Sequence, residues 1–78
     1  MPTIERIGPY RIYFYSQDRR EPPHVHVDRD AHTTKFWLTP VELAYNIGFR
    51  PKELRDVRRL VLEGATEFLE AWHDNFPA

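Results

Sequence analysis

The 78-residue sequence has no cysteine, only three glycines and one methionine, and no apolar run near the ~20 residues that a membrane-spanning helix needs. Without cysteine there is no disulfide scaffold, no thiol redox centre and no Cys-ligated zinc site, which fits a reducing compartment. The first ten residues, MPTIERIGPY, hold no signal-peptide core, so a soluble, cytoplasmic chain with no membrane partner is expected. Charge of one sign is also lacking: 11 Lys and Arg face 12 Asp and Glu, for a formal net charge of -1. Any binding to phosphate must then come from a local patch. What is present is aromatic. Rings make up 14% of the residues beside a mean hydropathy of -0.65, and such rings supply the burial that disordered chains lack. The size leaves room for one domain, residues 1–78, with one small core.

The first 50 residues read as strands and turns. Thr3 to Arg6 can pair across the Ile7-Gly8-Pro9 turn with the β-forming run Arg11 to Ser16. After a polar loop from Gln17 to Pro23, His24-Val25-His26-Val27-Asp28 alternates with period two. Thr34 to Leu38 is the next run, joined to it by the polar turn Arg29 to Thr33 as an antiparallel hairpin. Thr39-Pro40-Val41-Glu42 resembles a capping box, yet Val41, Leu43 and Tyr45 alternate as in a strand, and a short strand is the reading taken. From Pro51 the period becomes helical: Leu54, Val57, Val61, Ala65, Phe68, Leu69, Trp72 and Phe76 form one stripe. Lys52, Arg55, Arg59, Glu63, Glu67, Glu70 and Asp74 form the opposite one, and Gly64 marks a place for a bend or break. The expected fold is α+β: a small antiparallel sheet of three to five strands (about 3–47) covered on one face by a long C-terminal amphipathic helix (about 51–76).

Alternation assigns Ile12, Phe14, Val25, Val27, Phe36 and Leu38 to the helix side. Arg11, Tyr13, Tyr15, His24, His26, Asp28, Lys35 and Trp37 fall on the other, which one helix cannot cover, so that face is expected to be bare or an interface. Three chemistries compete for it. Tyr13, Tyr15 and Trp37 among Arg11 and Lys35 could stack bases and neutralise phosphates, although such rings also serve as ordinary cross-strand packing. His24 and His26, about 6.6 Å apart on one face, could act as an acid–base pair for phosphodiester cleavage. They could equally hold a metal with Asp28, or simply pack beside Pro22-Pro23. His32 and His73 are spare histidines whose position the sequence does not fix. No cofactor or metal is the primary expectation. The third chemistry is protein contact, for which Tyr, Trp and Arg are the favoured anchors.

The helix carries Lys52, Arg55, Arg58 and Arg59 in its first half and Glu63, Glu67, Glu70 and Asp74 in its second, both against the macrodipole. Glu53, Asp56 and an Arg59–Glu63 pair offset part of that cost. The basic block is either a solvated face or a contact for nucleic acid or an acidic partner.

The strings MPTIERIGPYRIYFYSQDRREPPHVHVDRD, TKFWLTPVELAYNIGF, PKEL and LEAWHDNF resemble the domain of unknown function 4160 family of small bacterial proteins over essentially the full length. In particular, Pro22-Pro23-His24-Val25-His26-Val27 and Lys35-Phe36-Trp37-Leu38 carry the match. The resemblance implies a neighbouring gene for a second small protein, of the domain of unknown function 2442 family, and a toxin–antitoxin-like pair with operator DNA or RNA as further ligands. It makes His24 and His26 the first residues to test. Arg50 stands where similar chains commonly carry a capping Ser or Asn, and Gly64 interrupts a helix of otherwise good formers. The leading expectation is a component of such a two-gene module acting through protein contacts, with homo-oligomers allowed. The alternatives are a small ribonuclease using His24 and His26, and a DNA-binding autoregulator using Lys52, Arg55, Arg58 and Arg59.

Overall fold

The computed structural model describes residues 3–77; Met1, Pro2 and Ala78, part of the single domain expected over residues 1–78, lie outside the described residues. Five strands form one antiparallel meander in chain order: β1 (Thr3–Ile7), β2 (Tyr10–Tyr13), β3 (His24–Arg29), β4 (His32–Leu38) and β5 (Val41–Ile47). A 25-residue helix, α1 (Pro51–Asn75), then packs on one face, so the fold is α+β. The β3–β4 turn is tighter than the polar stretch Arg29 to Thr33 suggests. Arg29 already pairs with His32, leaving Asp30-Ala31 as the connection. Asp30 takes φ 54°, a left-handed conformation that Asp tolerates better than most residues.

The apolar set behaves as its alternation requires. Ile12, Val25, Val27, Phe36 and Leu38 meet Phe49, Val57, Val61 and Phe68 in one core, while Phe14 packs against Trp72 and Phe76. The charged stripe of α1 is exposed throughout, as is Arg58. The Arg59–Glu63 pair expected from spacing is not among the ion pairs of the described residues.

Gly64 does not break the helix, which runs without interruption from Pro51 to Asn75. A Cβ there would lie 2.5 Å from Phe68 Cζ, because the Phe68 ring folds back over the preceding turn. Glycine is the clearance that lets this ring sit in the core. Pro51 begins α1 after Arg50, whose side chain makes no cap. The first turn is anchored instead by Glu53. It accepts a hydrogen bond from Tyr10 Oη at 2.7 Å and one from the Arg29 guanidinium at 2.9 Å, tying β2 and β3 to the helix.

The ambiguity at Thr39 resolves as a turn followed by a strand, but β5 does not alternate throughout. Lys35 pairs with Tyr45 whereas Phe36 pairs with Leu43, so Ala44 is an extra residue, a β-bulge. Val41 and Leu43 face the helix. Beyond the bulge, Tyr45 and Ile47 share the opposite face with the Lys35 and Thr33 side chains they oppose. After β5, Gly48 at φ 99° lies under His32, where a Cβ would approach His32 Cδ2 to 2.5 Å. Glycine is therefore required both by conformation and by space.

Candidate functional site

The sheet face away from α1 is bare only in part: His24, His26 and Lys35 are buried, whereas Tyr15, Tyr45 and Ile47 stay exposed. The polar loop after Tyr15 turns through one 3-10 segment (Ser16–Arg20) and folds back over the start of β3. Its Asp18 carboxylate accepts the Tyr15 amide at 2.8 Å through Oδ2, in the manner of an acid reaching back at a helix start. The same oxygen lies 2.9 Å from His24 Nε2 and 3.2 Å from His26 Nε2. These three side chains, with all their ligand atoms within 4.8 Å of one another, are a cluster able to hold a metal ion.

Beneath that loop the two histidines are enclosed. His24 is fully buried, with its ring 5.6 Å from that of Trp37 and 5.0 Å from that of Trp72. His26 is stacked on Tyr13 at 5.1 Å and flanked by Tyr15 at 5.0 Å and by Tyr45 at 6.4 Å. His24 Nδ1 lies 3.0 Å from the Pro22 carbonyl oxygen, and His26 Nδ1 lies 3.3 Å from Tyr45 Oη.

None of the remaining residues singled out in the sequence is a member of the cluster. Asp28 does not join the histidines: its Oδ1 accepts hydrogen bonds from Tyr13 Oη at 3.0 Å and from the Thr33 hydroxyl. The third ligand-bearing residue is Asp18, ten positions earlier. Lys35 is no rim charge either, since it is buried, donates to Glu21, and lies 4.5 Å from the centre of the Trp37 ring. Arg11 stacks on Tyr13 at 4.5 Å and donates to Thr3 at 3.0 Å. His32 packs on Phe49, and His73 is exposed in the last turn of α1, so neither joins the cluster. Lys52, Arg55, Arg58 and Arg59 remain exposed on the outer helix face, away from the histidines.

Two members of the site escaped the sequence reading. Asp18 sits in a loop without periodicity, and its only signal is a carboxylate three residues after Tyr15. Tyr45 is hidden by the bulge, because strict alternation assigns it to the side of Leu43.

Electrostatics follow from enclosure. Burial alone would raise the Asp18 carboxyl, but the Tyr15 amide and the two imidazoles outweigh it and hold the pKa below its ordinary value. Burial pushes His26 down, and although Asp18 opposes this, His24 and Lys35 add to it. Tyr13 is pushed up by burial, then by Tyr15 and Asp28. The groups facing His26 are thus Asp18, His24, Lys35, Tyr13, Tyr15 and Tyr45.

Both His26 and Asp18 bind protons less readily folded than unfolded, so acid favours the unfolded chain. Stability is expected to decline as pH falls below ~6.5, where an unfolded histidine protonates, and to fall further below ~3.9 as Asp18 follows. Urea unfolding midpoints measured from about pH 7.5 down to about pH 2.5 in chelator-containing buffer test this. A midpoint that rises through the histidine range would contradict it, and His26→Asn should flatten the upper part of the profile.

No curated protein and no solved structure matches the chain. Residues 10–73, which span β2 to the last turns of α1 and include every member of the histidine cluster, match the family model described as domain of unknown function (DUF4160), and the chain belongs to that family.

Proposed function

We propose that the chain is a binding module, the interaction component of a two-protein, toxin–antitoxin-like bacterial module in the cytoplasm. The observation that carries this reading is a patch of exposed apolar side chains. Tyr45 (41% exposed) and Ile47 (59%) stand on the edge strand β5, and Tyr15 (39%), just after β2, flanks His26 from the other side. Half-buried Trp37 continues the patch along β4. Large rings at a sheet edge suit a partner in two ways: they anchor a contact, and the outward backbone groups of β5 can pair with an added strand. The expected partner is the second small protein encoded nearby.

The ribonuclease alternative draws less support from this geometry. An acid–base pair has to reach the proton it moves, whereas His24 has no exposed surface, His26 has 5%, and both rings are committed to Asp18. The exposed basic strip Lys52, Arg55, Arg58 and Arg59 favours a second, subsidiary reading, in which the complex also touches operator DNA or RNA.

Co-expression with the neighbouring gene product, followed by native mass spectrometry, should yield a complex of fixed stoichiometry. Ile47→Lys, a charge on the exposed edge, should weaken it about 30-fold or more while leaving the circular dichroism spectrum intact. Absence of a complex, or one indifferent to both Ile47→Lys and Trp37→Ala, overturns the reading.

A further inference from the structure

We propose that Asp18 Oδ2, His24 Nε2 and His26 Nε2 form a binding site for a divalent transition-metal ion of the zinc class. Proton accounting around the two rings leads there. The Pro22 carbonyl can only accept, so the proton of a neutral His24 resides on Nδ1, 3.0 Å away. Its Nε2 then presents a lone pair to a carboxylate oxygen at 2.9 Å, acceptor facing acceptor. His26 reaches the same arrangement when its Nδ1 donates to Tyr45 Oη at 3.3 Å, which leaves its Nε2 lone pair 3.2 Å from the same carboxylate oxygen. One dication satisfies all three acceptors at once. Each imidazole then keeps an outward N–H donated to a fixed oxygen, as metal-bound histidines usually do.

The two distances from Asp18 Oδ2 to the imidazole nitrogens suit such an ion. Ligands about 2.0–2.2 Å from a tetrahedral ion lie roughly 3.3 Å from one another. Asp18 Oδ2 is already 2.9 and 3.2 Å from the two nitrogens, and the three ligand atoms lie within 4.8 Å of one another. Two imidazoles with one carboxylate suit a borderline first-row ion, not the all-oxygen shells of calcium or magnesium. Three protein ligands leave a coordination position open, and the Asp18 side chain keeps 13% exposure for access. The ion would fasten the 3-10 turn to β3. The site meets the partner patch at Tyr45, but none of its three ligands belongs to that patch, so either reading can fail without the other.

The test uses the untagged full chain, stripped with a chelator and titrated with Zn(II) by calorimetry. One-to-one binding is expected, weakened about 100-fold or more by Asp18→Asn and by His26→Asn and unchanged by His73→Ala. Affinity should fall with pH as ligands protonate. Co(II) substitution should give the intense visible bands of a low-coordinate site, lost in Asp18→Asn. Nitrogen NMR of the unmutated chain needs no variant to fold: saturating Zn(II) should leave His24 protonated on Nδ1 alone. The proposal is overturned if binding is not saturable at one equivalent or if Asp18→Asn binds equally well. It is equally overturned if His24 carries protons on both nitrogens with Zn(II) present, the signature of a plain imidazolium–carboxylate pair.

Discussion

Phe68→Ala is expected to destabilise the protein by about 3–5 kcal/mol, enough to unfold much of a population whose total stability is about 5–15 kcal/mol. The ring is fully buried in the core that also holds Ile12, Val25, Phe36, Val57 and Val61, and its removal leaves a void there. The same ring gives the prediction a second arm through Gly64. In the native background Gly64→Ala gains about 1 kcal/mol of helix propensity but drives a Cβ into a ring that has nowhere to move. Overpacking of that kind costs about 1–3 kcal/mol, so the variant should be destabilised. With Phe68→Ala already present the obstruction is gone, and Gly64→Ala should become stabilising. Urea unfolding of the four proteins reads this as a coupling of about 1–3 kcal/mol. If Gly64→Ala stabilised both backgrounds equally, Phe68 would not rest on Gly64.

His24→Ala should cost about 3–5 kcal/mol as well, for a different reason. The lost ring fills the space beside Trp37 and Trp72, and it partners both the Pro22 carbonyl and the Asp18 carboxylate. Truncation therefore combines a cavity with a stranded carbonyl and, where the ring is doubly protonated or shares an ion with Asp18, a carboxylate missing one partner. Removing that charge first should reduce the damage, so His24→Ala should cost less in an Asp18→Ala background. The readout is built in: Trp37 and Trp72 are the two tryptophans of the chain, and each has its ring centre within 5.6 Å of the His24 ring. Their emission should shift on substitution. Equal losses in both backgrounds would mean that the ring acts by packing alone.

The parts legible in the sequence are those governed by periodicity. The change of period at Pro51 and the stripe that runs on to Phe76 define α1 within one residue. The alternation of Val25, Val27, Phe36 and Leu38 identifies the helix-facing side of β3 and β4. Period two likewise puts His24 and His26 together. It fails where the chain makes contacts that no local pattern encodes. Asp18 reaches the histidines because a loop folds back over the sheet, and a loop has no period to read. Lys35 looks like a surface charge until Glu21, from that same loop, covers it. Asp28 has the right parity for the histidine face, yet Tyr13 and Thr33 claim its carboxylate. Gly64 reads as a helix defect because its reason is a ring four residues on.

The extra residue in β5 acts as a parity switch with two outputs. On one side of the sheet it turns Tyr45 towards His26 and sends Ile47 into the exposed patch. On the other it brings Asn46 round to the helix side. There the Asn46 amide donates to the Phe49 carbonyl at 2.8 Å and accepts the Phe49 amide at 3.2 Å, shaping the loop that launches α1. Point substitutions can tune either output separately. A change of length in β5 cannot, because it would reverse both together. The exposed patch and the anchoring of the helix are thus inherited as a single trait.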